Sequence, residues 1–361
     1  MIDIEVVRGR PAPLAVALGW ARRHAWIAAW WLGGRALVVV ASLASSRGIG
    51  ALGAWDGRWY RIVARDGYLL VPGRQSDPAF FPLFPILLRG GHALGLGYTT
   101  VGIALANAAF LVALVAFHAL TRDLLGESLA HRATVYLAIF PFGYVFSMAY
   151  PESIVLAAIA LSGLAAMRGR WRVAAGFAAA AALARPEAIF LSLPLLALAR
   201  QRRTAESFGA AFAPFAAAAA FPLYLDRVLH DPLAWSQAER AWGRRFSELG
   251  LLHAVQNLGS AFAADAWVVR DVAATVLYLA LLAAAARAGA PRPWLAAGLA
   301  VVALPLFSGA FSSIGRFGLL APAVYWGLAW LGRHRRVDLA VRALSLVLLA
   351  AAAATIPLAF P

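Results

Sequence analysis

Apolar runs of membrane-crossing character recur along nearly the whole of this 361-residue chain, and short arginine clusters separate them. Such a run can satisfy its backbone polar groups in hydrocarbon only as a helix or a closed barrel, and runs of this length are helical. With 62% hydrophobic and 14% charged residues, the chain has too little polar surface to coat a soluble globule of its size. The fold class expected is an all-α polytopic membrane protein, with residues 1–361 forming a single integral membrane domain.

Placing every arginine cluster on the cytoplasmic side gives one self-consistent topology. It has about eleven spans, near 25–46, 99–121, 132–150, 153–167, 172–184, 188–200, 208–225, 266–286, 294–310, 317–332 and 337–358, with the N-terminus inside. The inside loops then hold Arg122 with Arg132, Arg168 with Arg170 and Arg172, Arg200 with Arg202 and Arg203, Arg287 with Arg292, and Arg333 with Arg335 and Arg336. The pattern requires Phe80 to Gly97 to lie in the outer interface or re-enter it rather than cross. The spans 172–184 and 188–200 are short for a crossing and read as broken helices around a cavity. Alanine-rich stretches such as 178–182 and 216–220 fit close helix packing or plain compositional drift.

Composition also removes function classes. The net charge of +15 would favour nucleic acid if it lay on one patch, but it is dispersed as topology signals, so no nucleic-acid partner is expected. All 32 basic residues are Arg, which fits a GC-rich bacterial genome and hence a bacterial plasma membrane. Arg is also the better bidentate phosphate ligand. Without cysteine there is neither a disulfide nor a thiolate metal site, and the seven His lack a zinc-binding spacing. Asp3 and Glu5 stand where a signal peptide carries basic charge, so no cleaved signal peptide is expected.

Two outer segments are long enough to build something, 47–98 and 226–265. Within the first, residues 54–68 place two carboxylates and three arginines directly after a hydrophobic span, so Asp56 emerges at a membrane surface. Asp66 and Asp77 share its loop. Glu152 in Tyr-Pro-Glu-Ser, Arg185 and Glu187 in Ala-Arg-Pro-Glu, the run Asp231 to Arg245, and Arg316 in Ser-Ser-Ile-Gly-Arg fall on the same face. Charges at helix ends above hydrocarbon are costly unless paired or liganded. They point to an outward site for a substrate with an anionic head and a lipid tail. Simpler roles stand beside this one. Asp56 could cap a helix beginning at Gly57, and Glu152 suits a helix first turn. Trp55, Trp59 and Tyr60 suit the interface belt as well as sugar stacking. Arg185 and Arg316 could pair with Glu187 or Asp66, whereas Asp226, Glu248, Asp265 and Asp271 read as solvated loop charges.

The chain resembles the PIG-V-type mannosyltransferases, the family of the second mannosyltransferase of GPI-anchor synthesis and its bacterial relatives, within the GT-C superfamily. The motifs that carry the resemblance run in order over about residues 50 to 330. They are Trp55-Asp56 with Tyr60 and Gly67-Tyr68, Phe80-Phe81-Pro82-Leu83-Phe84-Pro85, Asn107, Tyr150-Pro151-Glu152-Ser153 and Ala184-Arg185-Pro186-Glu187. Asp231-Pro232-Leu233-Ala234-Trp235, Ala241-Trp242-Gly243-Arg244 and Ser313 to Arg316 complete the set; where the family usually has Pro-Arg-Tyr, this chain has Gly315-Arg316-Phe317. The resemblance implies a helical GT-C-type fold, a catalytic Asp in the first outer loop at Asp56, a second acidic position at Glu152, and a polyprenyl-phosphate sugar donor, usually mannose. A lipid phosphate leaving group needs charge stabilisation more than protonation, and one base suffices for an inverting attack by an acceptor hydroxyl. The expected roles are Asp56 as base, Arg316, Arg244 and Arg185 at the donor phosphate, and Glu152, Trp55 and Tyr60 at the sugar or acceptor. The acceptor could be a lipid-linked intermediate, a glycan or a protein. A cofactor is not required; a divalent metal held by Asp56 with Glu152 is possible but not favoured. The competing reading is a transporter or flippase for a lipid-linked sugar, since broken helices around an outward polar cavity fit that class also.

Overall fold

The structure, a computed structural model, describes residues 13–259, 262, 267–309, 311, 313–356 and 358, with side chains from residue 24 onward. Every regular element among them is helical. The N-terminal part runs α1 (Pro13–Leu43), α2 (Asp56–Asp66), α3 (Leu83–His92), α4 (Tyr98–Leu125), α5 (Glu127–Ala138) and α6 (Glu152–Met167). It continues with α7 (Trp171–Ala184), α8 (Ser192–Arg202), α9 (Ala205–Leu229), α10 (Ala234–Ala241) and α11 (Gly250–Gln256). The C-terminal part holds α12 (Val268–Arg287), α13 (Arg292–Phe307), α14 (Ile314–Phe317), α15 (Pro322–Leu331) and α16 (Arg335–Ala354).

Five of these helices are individually long and apolar enough to cross a membrane: α1 from His24, α4, α9, α12 and α16. Two bent pairs, Pro141–Ser147 with α6 and Ile314–Leu320 with α15, bring the total to seven if each is one span; α7 and α13 are shorter apolar helices. This is an integral membrane protein by length and composition. The expected span at 132–150 is not one helix. α5 stops at Ala138, a 3₁₀ segment follows over Pro141–Ser147, and the chain turns by 98° into α6. Pro141 and Pro151 lack the amide protons that would continue a helix through the turn. Within residues 80–97 the only helix is α3, whose 10 residues are too few to cross a membrane alone.

Close packing, rather than drift alone, explains the alanines of α7. Ala174, Ala178, Ala181 and Ala182 form a fully buried stripe, and α7 packs against both α6 and α9. Small side chains let helix backbones approach where lipid supplies no hydrophobic drive. α2 has the opposite character. Tyr60, Val63 and Ala64 are buried along one face and Arg58, Arg61 and Arg65 are exposed on the other, the pattern of a helix lying on a surface.

The break before α6 is held from α1. Arg35 is buried, and its guanidinium donates to Ala138 O (3.2 Å), Gly143 O (2.9 Å) and Ser147 Oγ (2.9 Å), carbonyls and a hydroxyl that the interrupted helix leaves over. Ser147 Oγ donates in turn to Asn107 Oδ1 of α4 at 3.0 Å. The neighbouring Gly34 makes this approach possible, because a Cβ there would sit 2.6 Å from Ala138 O. Gly34→Ala is therefore expected to push α1 off the break and cost about 1–3 kcal/mol, measured as a lower thermal unfolding midpoint in detergent.

Candidate active site

Trp55 takes a positive φ (55°, ψ −122°), a conformation that costs a bulky residue about 1–3 kcal/mol, and so turns the chain sharply into α2. Two contacts hold the turn: Trp55 Nε1 donates to Ile356 O at 2.7 Å, and the Asp56 amide donates to Tyr150 Oη at 3.1 Å. Asp56 is the first residue of α2, where the helix dipole favours a carboxylate. It does not cap the helix: Trp55 is the N-cap residue and makes no side-chain cap hydrogen bond. The Asp56 side chain instead turns inward and is 4% exposed.

Four distant pieces of sequence meet there. Arg316 donates through Nη1 to Asp56 Oδ2 at 2.5 Å and lies, through Nε, 3.0 Å from Glu152 Oε1. Arg185 Nη1 donates to the same Glu152 oxygen, while Nε and Nη2 grip Glu187 in a bidentate fork at 3.1 and 2.7 Å. The chain of charges Asp56, Arg316, Glu152, Arg185, Glu187 is buried throughout, with Glu152 fully so. Aromatic faces insulate it: Arg316 lies over Tyr150 (5.2 Å) and Arg185 over Phe317 (4.8 Å). Glu152 Oε2 is buried with no hydrogen-bond partner among the described residues.

These groups open on a cavity of about 390 Å³ whose lining includes Asp56, Tyr60, Arg185, Glu187, Glu239, Arg244 and Arg316. Its size suits a small organic ligand. The expected residues Asp56, Arg185, Arg244, Arg316, Trp55 and Tyr60 all reach it, and Glu152 stands behind, between two arginines. Trp55, Trp59 and Tyr60 all line this cavity. Tyr60 packs edge-on to Phe80 and Phe84, and Trp59 stacks on Phe80 and meets Trp242 edge-on.

Several assignments change. Arg316 does not pair with Asp66, which is exposed and held by Arg65 at 2.7 Å. Asp271 is not a solvated loop charge: it is buried, and its Oδ2 accepts from the Ser313 amide at 3.1 Å. Ser313 is left-handed (φ 65°) and opens the α14 turn that carries Arg316, so Asp271 braces the position of that arginine. Asp265 lies outside the described residues. Asp56 and Glu152 converge on a guanidinium rather than on each other, and no cluster of three His, Asp or Glu residues suited to a metal occurs among the described residues. Arg185 does pair with Glu187, as the Arg-Pro-Glu motif allowed. Glu239 is a lining residue that the sequence did not single out; it shares the buried face of α10 with Ala234 and Ala238, a signal that needs the helix boundary to be seen.

Arg244 is held more loosely than its fellows, by one contact of 3.5 Å to Glu239 and by lying 5.4 Å above Phe317. Burial pushes the Glu239 carboxyl above its ordinary range despite Arg244. Asp77 shapes the loop beside the cavity, accepting from the Leu69 amide at 2.7 Å, and burial pushes its carboxyl up to about 6. Because that value lies above the unfolded one near 4, Asp77 favours the folded state fully only below about pH 4 and loses the contribution as pH rises through 6. Asp77→Asn is expected to flatten this pH dependence. The check is the unfolding midpoint of both proteins between pH 4 and 7.5.

Long apolar helices and a buried ionic centre opening on a cavity define a polytopic membrane protein with a functional centre among its helices. No family model matches the sequence, and no curated protein matches it. Among solved structures, the crystal structure of ArnT from Cupriavidus metallidurans bound to undecaprenyl phosphate matches with a TM-score of 0.54 at 16% identity, over 91% of this chain and 64% of that one. The chain thus shares the helical fold of that structure and spans less than two thirds of its length.

Proposed function

We propose that this protein is a membrane glycosyltransferase that moves a sugar from a polyprenyl-phosphate donor to an acceptor hydroxyl, on the extracytoplasmic face of a bacterial plasma membrane. The observation that carries the reading is Asp56, a buried carboxylate oriented by Arg316 at the wall of a cavity that also holds Arg185 and Arg244. The shared fold adds to it, since ArnT was solved with undecaprenyl phosphate. Mannose as the sugar rests on the resemblance to the PIG-V-type mannosyltransferases.

Arg316 holds Oδ2 of Asp56, which leaves Oδ1 to take the proton of an acceptor hydroxyl as that hydroxyl attacks the anomeric carbon. The bond from that carbon to the phosphate oxygen breaks on the opposite face, and the lipid phosphate departs as an anion. Arg316 and Arg185 are both committed to carboxylates, so Arg244, with its single long contact, is the arginine most available to that phosphate. Glu152 fixes the two buried arginines relative to each other. A separate apolar cavity of about 360 Å³, lined by Val63, Ile86, Leu183 and Phe221 among others, gives lipid a place beside α2.

The test is reconstitution with labelled polyprenyl-phosphate-mannose and a panel of acceptors. A glycosidic product is expected. Movement of donor between leaflets without product would favour the flippase reading instead, and product from another sugar donor would correct mannose alone.

A further inference from the structure

α6 starts at Glu152 and α7 ends one residue before Arg185, so both helices join the ionic chain at one end. Over its 14 residues α7 carries its other end about 21 Å from that centre. There a cavity of about 700 Å³ opens between the α6–α7 turn and the α8–α9 turn, lined by Met167, Arg168, Trp171, Arg202, Thr204 and Glu206 among others. None of its lining residues is shared with the reaction cavity. The apolar members lie deeper than the charged ones: Trp171 is buried and Met167 half-buried, whereas Arg168 and Arg202 are exposed. The one carboxylate in the lining, Glu206, is already taken by Arg172, whose Nη2 and Nε lie 2.7 and 3.0 Å from the same oxygen. Arg168 reaches only Asp123, at 3.7 Å, and Asp123 is held more closely by Arg122 at 2.8 Å. Arg202 has no carboxylate within ion-pair distance among the described residues. The cavity thus pairs an apolar base with cationic walls whose charge its own acids do not balance.

The start of α9 does not make this site, because its amides are used internally. Thr204 Oγ1 accepts from the Ser207 amide and Ser207 Oγ accepts from the Thr204 amide, each at 3.2 Å. An anion here must be held by guanidiniums. A topology signal needs charge somewhere in a loop, but it does not need two loops to bring their arginines to one cavity with Trp171 and Met167 at its base. Charge above and apolar surface beneath, at the ends of apolar helices, match a molecule that is anionic at its head and hydrocarbon below. We propose that this cavity holds the headgroup of an anionic phospholipid, with its phosphodiester between Arg168 and Arg202 and its glycerol and first methylenes against Met167 and Trp171. The site is independent of the transfer reading. Taken with the outward reaction centre of that reading, the lipid belongs to the cytoplasmic leaflet.

The test is lipid binding by the full chain, delipidated in dodecyl maltoside and titrated without any sugar donor. Native mass spectrometry counts bound dioleoyl phosphatidylglycerol and dioleoyl phosphatidylcholine, with inorganic phosphate as competitor. One phosphatidylglycerol per chain is expected to bind at least about tenfold more tightly than phosphatidylcholine. Arg168→Gln/Arg202→Gln should erase that preference, and Arg168→Lys/Arg202→Lys should keep part of it. Arg335→Gln/Arg336→Gln removes the same charge at the start of α16 and should leave the preference intact. A preference that survives Arg168→Gln/Arg202→Gln, or that falls equally in the α16 variant, would overturn the proposal. So would inorganic phosphate that displaces phosphatidylglycerol at equal concentration, since the site would then read a free anion and not a lipid. Sugar transfer does not enter the measurement, so a chain that binds as expected yet makes no glycosidic product would fail the transfer reading alone.

Discussion

Asp56→Asn is expected to lower sugar transfer by about a hundred- to ten-thousand-fold, the range that loss of a general base produces. The substitution keeps the size of the side chain and lets its carbonyl oxygen accept from Arg316, so the α2 turn and the ionic chain survive. What disappears is the negative charge that takes the acceptor's proton. The measurement is turnover of purified variant with an unfolding midpoint near that of the wild type. Near-normal turnover in a folded variant would remove Asp56 from the chemistry.

Arg185→Leu should act on the fold before it acts on rate. Arg185 is the partner of Glu187 and one of two cations on Glu152, and these carboxylates are 4% and 0% exposed. Removing one member of a buried ion pair leaves a charge with neither water nor partner, a loss of about 3–5 kcal/mol. For a chain of this size the unfolding midpoint should fall by roughly 10 °C. Because the desolvation of the orphaned acid drives the loss, Glu187→Leu placed on top of Arg185→Leu should restore part of it. An unchanged midpoint in the single variant would show that the ionic chain contributes nothing to stability.

The helices and the site were legible in the sequence to different depths. Hydropathy marks α1, α4, α9, α12 and α16 because each is long and apolar enough to cross on its own, and lipid demands an uninterrupted apolar run. The break at 138–152 is only half legible: Pro141 and Pro151 mark it in the sequence, but the guanidinium that satisfies the carbonyls left over arrives from Arg35, a residue about a hundred positions upstream. In the site, Asp56, Glu152, Arg185 and Arg316 stand out because charge next to hydrocarbon is costly and needs a reason. Their pairing could not be read, since Arg316 choosing Asp56 over Asp66 depends on the positive φ at Trp55, which aims one carboxylate inward and leaves the other at the surface. Asp271 was misjudged for a related cause: it is a first-turn acid of α12 in the sequence pattern, and only the fold brings the Ser313 amide onto it.

Sugar transfer with inversion is tested most directly by the stereochemistry and stoichiometry of a single reaction cycle. Reconstituted protein given anomerically pure polyprenyl-phosphate-mannose and an acceptor should release one polyprenyl phosphate for each glycosidic bond formed, with the configuration at the anomeric carbon inverted. A product that retains the donor's configuration, or polyprenyl-phosphate-mannose that crosses the bilayer intact with no lipid phosphate released, would contradict it.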